Sequence, residues 1–282
     1  MNADSKEQRV GFVGLGDIGE PMARRILAAG FPTTLWARRE ASLVPFEGMG
    51  YHRAKDRVEL GRASDVVGVC VFGEKDVSEV VLGDDGILAG MAPGGVILVH
   101  STVSTEYVVE LARQCEARGV TVLDAAVSGF RQRAAAGELT VMVGGPVDTF
   151  QRVRPILETF GAHVEHLGQV GRGLAMKALN QALGLANLAS SALALETGRQ
   201  LGLDQGATER VLLTASGGSF AMELLVGRIL KDPQFAQLVA SIADKDLAVF
   251  EDLCRSAGVL SSDLGGLAAR SNDAVAGLVK TP

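Results

Sequence analysis

The chain is 282 residues long, 47% hydrophobic and 21% charged, the balance of a soluble globular protein with one large or two modest domains. A formal charge of −6 argues against a nucleic-acid binder, because no basic patch dominates. No stretch approaches the roughly 20 apolar residues of a membrane span, and the opening MNADSKEQRV is polar, so a cytoplasmic chain without a targeting segment is expected.

The predicted elements begin with a strand at RVGFVG (9–14). Directly behind it stands Gly14-Leu15-Gly16-Asp17-Ile18-Gly19, leading into an amphipathic helical stretch, PMARRILAAG. A GxGxxG spacing is weak by itself, since glycines cluster in many turns. Here a strand precedes it, Pro21 suits the first turn of a helix, and another strand follows at 33–37. In that setting the first glycine makes a tight turn, the second leaves room for a pyrophosphate, and the third lets helix and strand pack closely. The helix N-terminus adds N–H groups and its dipole for the phosphates of a dinucleotide.

The second strand, TTLWA (33–37), runs into Ala37-Arg38-Arg39. An NAD site usually carries an acid there for the ribose hydroxyls. Two guanidiniums in its place point to NADP, whose 2′-phosphate they would clamp; the competing reading is a pair of solvated surface arginines. Further strands are read at DVVGVCVF (65–72), GVILVH (95–100), VTVLDA (120–125), LTVMVG (139–144) and HVEHL (163–167). Helical stretches such as TEYVVELARQCEARG lie between them, and PGG (93–95) and GGP (144–146) supply turns. This alternation predicts a Rossmann-type, doubly wound parallel sheet. HSTVST (100–105) and DAAVSG (124–129) follow strands, at the carboxyl ends where such sheets bind ligands.

Two potential metal-binding patterns dissolve on inspection. His163 and His166 sit three apart on a strand and face opposite sides, so no metal site is expected. Cys70, Cys115 and Cys254 are widely spaced and read as free thiols.

After Gly168 no further strand is read. A long helix is predicted over about 173–201, so a Rossmann-type domain (1–170) joins an all-helical one (171–282). Small residues along this helix allow close packing, yet Lys177, Asn180 and Gln181 lie three and four apart and share one face. Gly173, one turn earlier, reads as space left for a ligand beside the ammonium. Reducing a carbonyl needs a hydride on carbon and a proton on oxygen; a nicotinamide supplies the first and a positioned ammonium the second. In the reverse direction the amine has to be neutral, which burial in an apolar helix favours. The competing reading is a snorkelling lysine and two structural amides.

GFVGLGDIGEPMARRI, HSTVS, DAAVSGFRQRAAAGELTVMVGG, GRGLAMKALNQ and DKDLAVFEDL fall in the order and spacing of the β-hydroxyacid dehydrogenases. The chain resembles that family, which includes 3-hydroxyisobutyrate dehydrogenase and tartronate semialdehyde reductase, over nearly its whole length. The resemblance implies Lys177 as catalytic acid/base, with Asn180 or Gln181 holding the substrate. It also implies Ser128 and Gly129 as the carboxylate grip, and Val71, Phe72, Thr102 and Lys245 as cofactor-lining positions. It further implies a homodimer or homotetramer acting on a small carbonyl or hydroxyacid. The loop departs from the family's usual VSGG, because Phe130 replaces the last glycine and Arg131 follows. Phe130 either fills part of the pocket or turns away, and Arg131 either contacts an anionic substrate group or is solvated. The alternatives are an imine reductase of the same two-domain plan, whose relatives generally lack this lysine, and a non-catalytic NADP-binding protein.

Overall fold

The computed structural model describes residues 7–259 and 263–279, so residues 1–6 of the polar amino-terminal stretch lie outside the described residues. Eight strands form one sheet: β1 (Val10–Val13), β2 (Thr33–Trp36), β3 (His52–Arg53), β4 (Val66–Val69), β5 (Val96–Val99), β6 (Thr121–Ser128), β7 (Leu139–Gly144) and β8 (Gly161–His166). Their order across the sheet is β3-β2-β1-β4-β5-β6-β7-β8. Between β1 and β4 the winding reverses, which opens a crevice at the carboxyl ends of those two strands.

The central strands are apolar throughout because both faces of the sheet are covered. On one face Phe12, Val66, Leu98 and Leu123 pack against Met22 and Ile26 of α1 (Gly19–Ala28) and Phe150 and Ile156 of α7 (Val147–Leu157). On the other, Val67, Ile97 and Val122 meet helices α2 (Arg57–Arg62), α3 (Glu74–Leu82), α4 (Ile87–Gly90) and α5 (Thr105–Glu116), through Leu60, Val77, Ile87 and Leu111. Side chains alternate between layers with the period of two that a strand imposes.

Two features differ from the sequence reading. β7 runs antiparallel to β6, although the other pairs are parallel. The link between them, residues 129–138, holds only the short helix α6 (Phe130–Ala136). A parallel crossover needs a dozen or more residues, so the chain turns back instead. β3 is an edge strand of two exposed residues paired with β2, too short to leave a periodic signature.

The chain divides into two compact units, Met1–Lys177 and Ala178–Pro282. The helix α8 (Arg172–Gln200) crosses that division, its first turns belonging with the sheet, where Leu174 is buried in the core. The second unit is helical among the described residues: α9 (Gln205–Thr214), α10 (Phe220–Leu224), α11 (Pro233–Ser256), α12 (Asp263–Ala269) and α13 (Ser271–Val279). Its cores gather Leu188, Ala192, Met222, Leu225 and Phe235, and separately Ala178, Ala182 and Phe250. Among the described residues no helix is long and apolar enough to cross a membrane, and the cysteines are free.

Candidate functional site

The loop between β1 and α1 is built so that backbone, not side chains, faces outward. Gly14 sits at φ +92°, and a Cβ there would lie 2.1 Å from the carbonyl oxygen of Cys70, just past the end of the neighbouring strand β4. A Cβ on Gly19 would strike the Gly14 carbonyl at 2.0 Å, so helix and turn close only around glycine. Gly16 has nothing within 4 Å of its Cβ position and is exposed, leaving room for a phosphate to approach the bare backbone. Leu15 is buried in the core, Asp17 is exposed, and Ile18 caps α1 without any side-chain hydrogen bond. These residues fit a dinucleotide pyrophosphate.

At the end of β2, Ala37 packs against the core while Arg38 and Arg39 are exposed. Among the described residues neither arginine is in an ion pair. Glu40, the nearest acid in sequence, is already bonded to Arg53 (Nη1 to Oε1, 2.6 Å). Beyond β4, the Val71 N–H donates to Ser101 Oγ at 2.9 Å, tying two carboxyl-end loops together. Phe72 beside it is 83% exposed, and Thr102 is half-buried. Lys245 belongs to α11 of the second unit, also half-buried.

A residue overlooked in the sequence organises the other half of the site. Asp124 on β6 is fully buried, and its carboxylate accepts from Gly171 N–H (2.7 Å) and Leu174 N–H (2.8 Å), with Gly173 N–H contributing as well. Burial lifts its carboxyl above the ordinary range, and these amides pull the other way. The carboxylate therefore occupies the positive end of the 29-residue α8. Gly173 serves this seat rather than a ligand: a Cβ there would lie 2.4 Å from the Met142 carbonyl and 2.9 Å from Asp124 Oδ2. A lone charge inside an otherwise uncharged stretch, VTVLDAAVS, was the signal available in the sequence.

Lys177 follows one turn after Leu174 and is half-buried at the close of the first unit. Further along the same helix, Gln181 Nε2 donates to Asp246 Oδ2 on α11 at 2.5 Å, and Asp246 is buried. Asn180 Nδ2 donates to Gln181 Oε1 at 3.2 Å. Gln181 is thus engaged at both ends of its amide, and Asn180 leans on it. Asp246 is a second residue that the sequence reading passed over, although DKDL was in view.

Ser128 and Gly129, both half-buried, end β6 and lead into α6. In a strand, residues 124, 126 and 128 share a face. Ala126 lies in the core layer that contains Leu174, so Ser128 faces the side on which α8 starts. Next comes Phe130 at φ +59°, the one non-glycine residue with positive φ among the described residues. That backbone costs an L-residue about 1–2 kcal/mol. Arg131 is solvent-exposed, as one of the two sequence readings had it, but it is also paired: Nη2 is bonded to the buried Glu20, and Nη1 donates to the Asp17 carbonyl at 3.1 Å. Arg24 adds a weaker contact to Glu20 at 3.5 Å.

Known proteins match along the whole arrangement. Residues 9–168 match the family described as the NAD binding domain of 6-phosphogluconate dehydrogenase, and residues 171–276 the NAD-binding family of NADP-dependent 3-hydroxyisobutyrate dehydrogenase. The 3-hydroxyisobutyrate dehydrogenase of Pseudomonas aeruginosa is 34% identical over 76% of this chain and 72% of its own. Among solved structures, 3-hydroxyisobutyrate dehydrogenase of Mycobacterium tuberculosis with L-serine superposes with a TM-score of 0.80 at 26% identity, covering 96% of this chain and 94% of that one. Psf3 in complex with NADP+ and 2-OPP gives a TM-score of 0.77 at 27% identity, covering 94% and 93%.

Proposed function

The chain belongs to the β-hydroxyacid dehydrogenase family of nicotinamide-dependent oxidoreductases, and on that premise we propose that it interconverts a β-hydroxyacid and its semialdehyde or keto form with NADP. The cofactor, when bound, supplies or accepts the hydride. The chain's residues divide the remaining work. Gly14, Gly16, Gly19 and the start of α1 would hold the pyrophosphate, and Arg38 and Arg39 the 2′-phosphate. Ser128 and the Gly129 amide grip the substrate carboxylate. The Lys177 ammonium gives a proton to the carbonyl oxygen on reduction, and its neutral amine takes that proton back on oxidation. Asn180 orients the hydroxyl, braced by Gln181, which is itself held by Asp246.

One observation supports this reading above the rest: Asp124 serves both chemical groups. It stands on the strand that presents Ser128 on the same face, and it grips the helix that carries Lys177 one turn on. The two groups are therefore referenced to a single buried anchor, as proton transfer within hydrogen-bond reach requires. Assembly as a homodimer or homotetramer is part of the proposal, supported by Met176, Leu179 and Leu183, exposed along α8.

NADPH absorbance with a panel of short aldehyde and keto acids tests the reaction, with Lys177→Ala and Lys177→Met beside the wild type. The variants should lose roughly 10²–10⁴-fold in kcat while binding NADPH normally. Undiminished velocity in either variant rules out the lysine's role. Tight NADPH binding by the wild type with no carbonyl consumed identifies a binding protein instead.

A further inference from the structure

The Glu20–Arg131 contact lies outside the reaction scheme, yet it joins the two loops on which that scheme depends. Glu20 is in the first turn of α1, directly behind the glycine loop, and is 5% exposed. Arg131 is in the first turn of α6, directly behind Ser128 and Gly129. Its guanidinium spans from Glu20 to the Asp17 carbonyl, so the substrate loop is bolted to the cofactor loop. Phe130 lies between the bolt and the carboxylate grip. A left-handed backbone at a phenylalanine persists only where its surroundings hold it, and such residues concentrate where a site needs them. Here the holding element is visible one residue away.

We infer that Phe130 is a specificity-determining residue, held by the Arg131–Glu20 bolt as an apolar wall beside the carboxylate grip, so that the site favours hydroxyacids with an apolar substituent. This rests on the reading of Ser128, Gly129 and Lys177 given above. The ring is 38% exposed in the chain, so it offers apolar surface that a methyl or aryl substituent covers. A hydroxymethyl group against the same ring gives up its water without gaining a partner. Arg131, next in sequence, brings no uncommitted charge to the ring, because Glu20 and the Asp17 carbonyl already engage it. A second carboxylate set against this ring loses its water, and the guanidinium next to it is already partly neutralised by Glu20.

The test is oxidation by the full chain, with NADP, of 3-hydroxypropanoates carrying methyl, benzyl, hydroxymethyl or carboxyethyl at C2. Wild type should give kcat/KM at least about tenfold higher for methyl or benzyl than for hydroxymethyl or carboxyethyl. Phe130→Ala removes the ring and keeps a Cβ in the left-handed backbone; Phe130→Gly removes the ring and relieves that backbone's strain. Both variants should lose the preference, and Phe130→Gly should melt at a higher temperature than Phe130→Ala. Equal turnover of all four acids by the wild type, or a preference that survives in either variant, overturns the inference and leaves the proposed reaction standing. Absence of turnover with every acid and with the carbonyl panel defeats the proposed reaction, and this inference with it.

Discussion

Two helices begin beside the carboxyl edge of this sheet, and their first turns are treated in opposite ways. At α8 the protein supplies its own anion: Asp124 is buried against the amides of Gly171 and Leu174. At α1, Ile18 provides no side-chain cap, and Gly16 leaves the approach open. The acid that does lie in the first turn of α1, Glu20, is neutralised by Arg131 and Arg24, so it does not set a bare charge against an incoming phosphate. The contrast separates two uses of one physical feature. A helix terminus closed from within becomes a rigid post for Lys177, whereas one left open becomes a seat for an external anion.

The strongest way to break the comparison is to open the closed end. Asp124→Ala strands amides that have no water to turn to and should cost about 4 kcal/mol in urea unfolding. The surviving folded protein should lose kcat more than NADPH affinity, since the seat at α1 is untouched. Asp124→Asn, which restores one acceptor oxygen but sets an NH2 against the other backbone amide, should recover only part of the stability. An unfolding midpoint unchanged in Asp124→Ala would show that α8 needs no internal anion.

His100 probes the dry strand ends on which both helices rest. Its Nδ1 donates to the Ala125 carbonyl at 2.8 Å, its ring stacks on Phe12, and Nε2 has no partner among the described residues. Burial pushes its pKa down from 6.5 to about 4. Between those values the unfolded chain binds a proton that the native chain refuses, so stability falls as pH drops from about 6.5 to about 4. The loss is on the order of 3 kcal/mol across that window. Asp124, whose carboxyl is raised by burial, contributes in the opposite sense, its share being fully present below 3.8 and lost as pH rises through its folded value. The difference between wild type and His100→Asn isolates the imidazole. A stability profile of His100→Asn as steep as that of the wild type would contradict the assignment.

The open end is sharpened by its distal contacts. Arg38→Ala and Arg39→Ala should each weaken NADP binding by about tenfold and leave NAD binding nearly unchanged. Thermal-shift titrations at equal concentrations of the two cofactors read this directly. A larger shift with NAD in the wild type would reverse the cofactor assignment.

Much of this was legible in one dimension because it rests on local rules. The glycine spacing, the doubled arginine and the i, i+3, i+4 stripe on α8 follow from chain geometry over a few residues, and so does the α8 span, read as 173–201 and found at Arg172–Gln200. The direction of β7 was not: a strand read as ending at 125 leaves residues 126–138, enough for a crossover, and only the full β6 to Ser128 makes the link too short. Pairings across long separations were not. Asp124 and Leu174 are 50 residues apart, Arg131 and Glu20 are 111 apart, and Gln181 and Asp246 are 65 apart. Gly173 illustrates the consequence: beside Lys177 in sequence it reads as ligand space, whereas in the fold it is pressed against the Met142 carbonyl.

The amino-acid order alone determined which segments become strands and helices, where a dinucleotide would be cradled, and which side chains share a face with Lys177. Those properties need only periodicity, glycine's missing Cβ and the chemistry of single residues. Tertiary structure decided which charges are already spent. A carboxylate or guanidinium looks the same in sequence whether it faces solvent, a helix end or an opposite charge, and only folding brings together the distant groups that satisfy it.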